Sequence, residues 1–267
     1  MFERFYNLAY NPFSKTLKAS DAYDTADMRE VHARLDHLSR TGGIGLITAD
    51  PGMGKTFAVR TWVAKQNPNT AKCVYVCLST VSGMEFYRQL CLELGITPAF
   101  KKVDMFRDLQ SHLRHLALEK RVKVTVVLDE AQYLSSSILR DLKMLTNFDM
   151  DSRDCFACVL VGQSVLVQYL ARQPYEALRQ RLVVNYQMAG PDEAQAGDYV
   201  REMLRRAGGD PALLDDAAVA SAYGACGGSI RQLNNIMVNA LMIGSQAEAR
   251  RIGADIVLKA IEEASLQ

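Results

Sequence analysis

A glycine-rich turn lies between a short apolar run and a stretch with helical spacing, and its residue types suit the binding of phosphate. The turn reads Ala49, Asp50, Pro51, Gly52, Met53, Gly54, Lys55 and Thr56. Its N–H groups can point inward at phosphate oxygens, and the helix that follows presents its positive end to them. The two glycines allow the unusual backbone angles, Lys55 can reach the β- and γ-phosphates, and the Thr56 hydroxyl can bind Mg²⁺. We therefore expect a site for ATP and Mg²⁺ here.

A second, acidic motif follows an apolar run further along the chain. Residues 124–128 have the composition of a strand buried on both faces, and Asp129 and Glu130 come directly after them. At the end of such a strand, Asp129 would bind Mg²⁺ together with Thr56, and Glu130 would act as general base toward an attacking water. Two solvated acids that cap a strand are the alternative. Combined with the phosphate-binding turn, the motif predicts an enzyme that hydrolyses ATP to ADP and phosphate.

Polar residues after the next apolar run are expected near the γ-phosphate. Gln163 and Ser164 follow the run at 156–161. If that strand lies beside the strand that precedes the phosphate-binding turn, either residue can contact the γ-phosphate and position water. For Ser164, the N-cap of the following helix is the other interpretation.

Three arginines are expected to complete the site. Arg179 and Arg181 come just before the last apolar run, where an arginine at a subunit edge can reach the ATP of a neighbouring copy. Solvated cations at a helix end are the alternative for this pair. Arg231 lies at the start of a later helix, which Ser229 would cap, and from there it can touch the nucleotide of its own subunit.

The spacing of apolar residues predicts an α/β core followed by helices. Apolar or β-branched runs alternate with helical stretches, which is typical of a mostly parallel, five-stranded sheet. The runs lie near 44–48, 73–78, 122–128, 156–161 and 182–186. Beyond residue 190 the pattern contains only helices, near 192–207, 214–224, 229–243 and 253–264. We expect an N-terminal segment over 1–23, an α/β ATPase core over 24–190 and an all-helical lid over 191–267.

Composition and charge fit a folded protein without a strong overall attraction to nucleic acid. Hydrophobic residues make up 49% of the 267 residues, charged residues make up 23%, and the formal net charge is +1. A DNA-binding surface would therefore be a local patch. The six cysteines lie mostly in apolar surroundings, and the pair Cys155 and Cys158 has no second pair at zinc-site spacing. We expect buried thiols in a cytoplasmic protein, since the sequence shows neither a signal peptide nor a membrane-spanning apolar run.

Taken together, these motifs resemble an AAA+ ATPase over nearly the whole chain. The opening FYNLAYNPFS and the stretch VVLDEAQYLSSSILRDLKMLTNF are similar to the ExeA-like group, which includes secretion ATPases and transposition helpers of the TniB, TnsC and MuB type. The roles that the resemblance implies are Walker A for Lys55 and Thr56, Walker B for Asp129 and Glu130, sensor 1 near Gln163, the arginine finger for Arg181 or Arg179, and sensor 2 for Arg231. The sequence departs from the family pattern at Ala49, where glycine is usual, and at Gln163, where many relatives carry Asn, Ser or Thr.

The resemblance also implies a function. Secretion members of the group continue into a membrane helix, whereas this chain ends at Gln267 after its predicted lid, as stand-alone cytosolic transposition helpers do. We therefore expect an ATPase that assembles with ATP as a ring or helical filament on double-stranded DNA. It would regulate transposition by selecting target DNA and recruiting or stimulating a transposase. Its expected partners are further copies of itself, DNA, a transposase and a targeting protein, with no membrane. A secretion-associated ATPase and a helicase-loader-like remodeller are the alternatives.

Two segments are expected to meet DNA on the inner face of such an assembly. Thr80 and Ser82 follow the second strand, and Lys101 and Lys102 lie between the two helices after it. Hydroxyls and lysines there would contact phosphates, which positions a protein without reading bases. A solvated turn with two surface lysines is the alternative.

Overall fold

The sheet has the predicted architecture. The computed structural model describes residues 2–77 and 81–265, and within them one sheet has five strands, with every neighbouring pair parallel. The strands are β1 (Gly43–Thr48), β2 (Ala71–Cys77), β3 (Lys123–Asp129), β4 (Ala157–Gly162) and β5 (Leu182–Gln187). Their spatial order is β2-β3-β4-β1-β5. The α/β fold is therefore confirmed, and every predicted strand agrees to within two residues at either end.

Helices alternate with the strands and then continue without them. In chain order they are α1 (Phe2–Phe5), α2 (Ala26–Thr41), α3 (Lys55–Ala64), α4 (Gly83–Leu94), α5 (Lys102–Leu118), α6 (Ser136–Leu145), α7 (Val165–Leu170), α8 (Glu176–Arg179), α9 (Glu193–Arg206), α10 (Asp216–Cys226), α11 (Ile230–Gln246) and α12 (Ala254–Ser265). Helix α3 begins at Lys55, as predicted, so the phosphate-binding turn leads directly into a helix N-terminus. The predicted all-helical C-terminal region is confirmed by α9 to α12 among the described residues.

The chain divides into two compact units. One unit comprises Met1–Arg29, Pro51–Gly54 and Ala189–Gln267, and the other comprises Glu30–Asp50 and Lys55–Met188. The N-terminal segment belongs to the unit that contains the C-terminal helices. Its apolar side chains lie in the same core as those of α9 to α12; these side chains are Phe2, Tyr6, Leu8 and Phe13. The middle of the phosphate-binding turn also belongs to this unit.

The sheet forms the centre of the other unit. On one face, β-branched side chains such as Val74 and Val126 pack against α4, α5 and α6 in a single buried core. On α2, Leu38 packs against β1 at Gly45, where a Cβ atom would lie only 2.6 Å from the Leu38 Cδ2 atom. Glycine at this position therefore sets how closely α2 approaches the sheet.

One expectation about the cysteines is wrong. Cys91, Cys155, Cys158 and Cys226 are buried, but Cys73 is half-buried and Cys77 is exposed. The reason is that β2 is an edge strand whose side chains alternate, so Val74 and Val76 enter the core while Cys73, Tyr75 and Cys77 lie on the more open face. Among the described residues, no group of three or more His, Cys, Asp or Glu side chains is arranged to hold a metal ion.

Candidate nucleotide-binding site

Because β3, β4 and β1 are parallel neighbours, their carboxyl ends lie together. The acidic motif and the end of β4 therefore lie close to the point where β1 enters the phosphate-binding turn. Strand β4 pairs directly with β1, with Thr48 opposite Gly162. Strand β3 pairs with the other side of β4. The condition on which Gln163 and Ser164 were predicted to lie near the γ-phosphate is therefore met.

Asp129 lies at the centre of a hydrogen-bond cluster. Its Oδ2 atom accepts from the Thr56 hydroxyl at 2.7 Å and from the Tyr75 hydroxyl at 2.7 Å. Its Oδ1 atom accepts from the Glu130 N–H at 2.8 Å. The carboxyl is almost fully buried, with 3% of the residue exposed. Burial, followed by the hydrogen bond to Asp129, raises the pKa of Tyr75 well above its usual range, so this phenol remains a donor.

Lys55 and Ala49 show how the turn is held. The Lys55 ammonium donates to the Ala49 carbonyl at 2.8 Å and to the Asp50 carbonyl at 3.0 Å. The Ala49 N–H donates to the Gly162 carbonyl at 3.2 Å, which ties the start of the turn to β4. Ala49 is not one of the described residues with positive φ. Because the backbone there is ordinary, alanine is accommodated where the family pattern has glycine.

The two glycines of the turn have different surroundings. Gly52 and Gly54 both adopt left-handed backbone angles, with φ of 87° and 91°. A Cβ atom on Gly54 would meet nothing within 4 Å, whereas one on Gly52 would lie 2.2 Å from the Ser229 hydroxyl oxygen. The Gly52 carbonyl also accepts from the Arg231 N–H at 3.1 Å. Gly52 is therefore required both by its backbone angle and by the close approach of the start of α11.

The residues at the start of α11 are placed as the sequence suggests. The Ser229 side chain accepts from the Gln232 N–H, so the predicted cap is confirmed. Arg231 is exposed in the first turn of that helix. Its contact with nucleotide stays a prediction. Elsewhere in the same unit, the Met53 sulfur atom lies against Gly190, where a Cβ atom would be 2.6 Å from it.

Glu130 has an unusual backbone and an anchored side chain. It adopts a left-handed conformation with φ 52° and ψ 38°, which is uncommon for a residue other than glycine. Its Oε2 atom accepts from the Gln132 amide Nε2 at 2.6 Å. The Gln132 Oε1 atom accepts from the Gln163 N–H at 3.1 Å. The carboxylate expected to act as general base is thus linked, through one glutamine, to the end of β4.

Ser164 is not the side-chain cap of α7. It occupies the N-cap position without a capping hydrogen bond, so that interpretation is wrong. Its hydroxyl instead donates to the Asp50 carboxylate at 2.8 Å, and the Gln187 amide donates to Ser164 at 3.4 Å. The backbone of Ser164 is already helical, with φ −55° and ψ −27°, whereas a residue that caps with its side chain normally has an extended backbone. Gln163 contributes its backbone N–H to the link with Gln132.

The structure separates the two predicted finger arginines. The Arg179 guanidinium donates to the backbone carbonyls of Leu170 and Arg172 at 2.5 and 3.0 Å, where it caps the end of α7. Arg181 lines an open cavity of about 590 Å³ at the amino ends of β1 and β5, together with Arg153. Its guanidinium donates to the Thr146 hydroxyl at 3.3 Å. Arg179 therefore supports local structure, and Arg181 lies at a cavity that is open to solvent.

Of the predicted DNA-contacting residues, Ser82 lies at the start of α4, close to Lys102 at the start of α5. A Cβ atom on Gly83 would be 3.8 Å from the Lys102 ammonium, so the N-termini of α4 and α5 are adjacent. Ser82 forms a capping box with Glu85, and Lys102 pairs with Asp141. Lys101 is exposed. The predicted contact at Thr80 lies outside the described residues.

Sequence reasoning missed Tyr75 and Gln132. Tyr75 is two residues before Cys77 on an edge strand, and its reach to Asp129 depends on the register in which Cys77 lies opposite Asp129. Gln132 follows the acidic pair by two residues, a spacing that could have attracted attention. Its role depends on the short helical turn over Ala131–Tyr133, which directs the side chain back toward Glu130.

The residues present fit Mg-ATP. Thr56 and Asp129 supply hard oxygen atoms, the ligand type that Mg²⁺ prefers. Lys55 supplies a cation at a helix N-terminus, and the two glycines supply backbone angles that let N–H groups face a phosphate. The fold and the site together define a P-loop ATPase of the AAA+ class.

Comparison with known proteins agrees with this class. The profile of the AAA domain family matches residues 37–170, half of the chain, so the chain belongs to that family. Over 273 residues it is 28% identical to general secretion pathway protein A of Aeromonas hydrophila, across 100% of this chain and 49% of that protein. Over 125 residues it is 26% identical to the ATP-dependent target DNA activator B of Escherichia phage Mu, across 46% of this chain and 37% of that protein. The chain thus spans half or less of these relatives.

A solved structure shows the same fold. CDC6P from Pyrobaculum aerophilum superposes with a TM-score of 0.72 at 17% identity, over 95% of this chain and 70% of that one. In the part of the chain that the structure describes, none of the helices has the length and apolar character needed to cross a membrane.

Proposed function

We propose that the protein hydrolyses ATP with Glu130 as general base. The observation that carries the proposal is the hydrogen bond from the Thr56 hydroxyl to the Asp129 Oδ2 atom at 2.7 Å. Glu130 is the next residue in the sequence, and its carboxylate is held by the Gln132 amide. Thr56 and Asp129 would hold Mg²⁺, which neutralises phosphate charge, and Lys55 would bind the β- and γ-phosphates. Glu130 would take the proton of the attacking water.

Glu130→Gln tests this assignment. We expect ATP binding to be retained and kcat to fall roughly 10²–10⁴-fold, because an amide cannot accept the proton. ATP affinity is measured by titration with a fluorescent analogue, and turnover is measured by phosphate release. Glu263→Gln, on the exposed surface of α12, is the matched control and should leave both unchanged. A Glu130→Gln protein that hydrolyses ATP at the normal rate would refute the assignment.

We further propose that Arg181 acts in trans. From its cavity at the amino ends of β1 and β5, its guanidinium would contact the γ-phosphate bound by a neighbouring copy. ATP would then stabilise a ring or filament, and hydrolysis would weaken the interface because the bound anion is lost.

We also propose that the assembly forms on double-stranded DNA and regulates transposition by selecting target DNA and recruiting or stimulating a transposase. The support is the surface formed by the adjacent N-termini of α4 and α5, with the exposed Lys101, and the similarity to a target DNA activator. Close to it, the Arg107 side chain is 74% exposed and pairs with Asp104 at 3.1 Å, so a DNA phosphate would replace that carboxylate as its partner. The second candidate is a secretion-associated ATPase, which is favoured by the whole-chain alignment with general secretion pathway protein A.

Binding to labelled duplex DNA with ATP, with ADP and without nucleotide, at several salt concentrations, separates the two candidates. The DNA proposal expects ATP-dependent, salt-sensitive binding by large assemblies. Lys101→Ala should weaken binding several-fold and reduce the salt slope by about 1, because one phosphate contact is lost. Lys120→Ala, at an exposed lysine beyond the far end of α5, is the control. An ATPase that binds no DNA under any of these conditions would favour the secretion candidate.

A further inference from the structure

Gln132 makes both of its side-chain hydrogen bonds to groups at the ends of neighbouring strands. Its Nε2 atom donates to the Glu130 carboxylate after β3 at 2.6 Å. Its Oε1 atom accepts from the Gln163 N–H after β4 at 3.1 Å. The two partners fix the orientation of the amide, because the reverse orientation would place an oxygen against a carboxylate and an NH₂ against an N–H.

The surroundings of Gln132 are built to accept this bridge. A Cβ atom on Gly162 would lie 2.7 Å from the Gln132 Oε1 atom and 2.9 Å from Leu166 Cδ2. Any other residue at 162 would therefore displace the amide. On the other side, the left-handed backbone of Glu130 turns the chain into the short helical turn from which Gln132 points back.

We propose that Gln132 is a positioning residue that holds the Glu130 carboxylate in its working orientation and links it to the end of β4. A flexible glutamate side chain has several rotamers, and a neutral donor on Oε2 selects one of them without neutralising its charge. No hydrogen bond to the Oε1 atom is seen among the described residues, so that atom can accept the proton of water. The inference rests on the proposed role of Glu130 in hydrolysis.

The link to β4 gives the bridge a second consequence. Gln163 and Ser164 were predicted to sense the γ-phosphate, and the N–H of Gln163 is one of the two anchors of the bridge. A shift of this segment on contact with the γ-phosphate would move the Gln132 amide and, with it, the carboxylate of Glu130. The base would thus be oriented by the same segment that contacts its substrate.

The test separates positioning from binding and folding. Gln132→Ala and the similarly sized Gln132→Met should lower kcat roughly ten- to hundredfold, since small misplacements of catalytic groups reduce rates by such factors. ATP affinity and melting temperature should change little. Gly162→Ala, which keeps Gln132 but fills its space, should also lower kcat. The matched control is Gln89→Ala, which removes a glutamine that donates to Glu93 at 2.7 Å on the exposed surface of α4; its kcat should stay within about twofold of the wild type.

A double-mutant cycle shows whether Gln132 acts through Glu130. In single-turnover measurements, Gln132→Ala should have little further effect in the Glu130→Gln background, because residues that act as a unit are not additive. An equal fold-loss in both backgrounds, or a Gln132→Ala protein that turns over as fast as or faster than the wild type, would overturn the inference. A wild-type protein that binds ATP without hydrolysing it would instead refute the proposed function and this inference with it.

Discussion

At the scale of single residues, the two carboxylate oxygens of Asp129 accept hydrogen bonds from three donors. One carboxylate oxygen of Asp129 accepts from both Thr56 and Tyr75, and the other accepts from the backbone of Glu130. Together, the three donors restrict the rotation of the carboxylate. The Mg²⁺ ligand predicted from the sequence is therefore held in place by the two residues beside it in space and by the one after it in sequence.

The cysteines offer a test of the burial found at this scale. Cys77 is exposed, whereas complete burial raises the pKa of the Cys158 thiol to about 12. Because the thiolate is the reacting species, we expect a disulfide reagent to modify Cys77 of the native protein first and Cys158 only after unfolding. Thiol release followed by absorbance measures this. Cys77→Ser should remove the fast phase, and a fast phase that instead disappears in Cys158→Ser would contradict the assigned burial.

At the scale of elements, close packing of α2 on β1 fixes the strand that leads into the phosphate-binding turn. Leu38 and Gly45 meet at a distance that leaves no room for a Cβ atom. Strand β1 is thereby held by α2 as well as by its hydrogen bonds to β4 and β5.

Two glycine-to-alanine changes should have opposite effects on stability. Gly45→Ala should destabilise by about 1–3 kcal/mol, because the new methyl group overpacks against Leu38. Gly224→Ala lies in α10 where nothing is within 4 Å of the added carbon, and it should stabilise by about 0.5–1 kcal/mol because alanine favours the helix. Urea unfolding followed by circular dichroism measures both changes. Equal effects from the two substitutions would show that close packing at Gly45 is not the limiting factor.

At the scale of the whole molecule, the proposed cycle requires more than one copy. Arg181 lies at the amino ends of the strands, while Lys55 and Asp129 lie at their carboxyl ends. Because Arg181 lies at the opposite ends of the strands from the nucleotide site of its own copy, it is suited to contact the nucleotide of a neighbouring copy. Assembly would then bring the finger of one copy to the nucleotide of the next.

Mixing two inactive variants tests this arrangement. We expect Arg181→Ala to bind ATP without serving a neighbour, and Lys55→Ala to lose ATP binding while it still carries Arg181. We expect each alone to be inactive and their mixture to regain ATPase activity, because a Lys55→Ala copy supplies the missing arginine in trans. Activity is measured by phosphate release at several mixing ratios. If the mixture stays inactive while both variants still co-assemble, the trans role of Arg181 is wrong.

The sequence alone determined much of the fold, and it predicted the residues of the candidate site. Lys55, Thr56 and Asp129 are recognisable because a phosphate-binding turn and a buried strand are local patterns. Residues close together in the sequence determine which element forms and where it begins and ends. The five strands and the C-terminal helices follow for the same reason, since periodicity is a property of short stretches.

Tertiary structure was needed for features that depend on register and on contacts between distant segments. It decided that Tyr75 reaches Asp129, that Gln132 bridges Glu130 and β4, that Arg179 caps a helix while Arg181 faces a cavity, and that Cys77 is exposed at a sheet edge. Side-chain contacts between strands depend on how the strands pair and pack across the sheet. The spacing of residues along the chain does not predict that pairing.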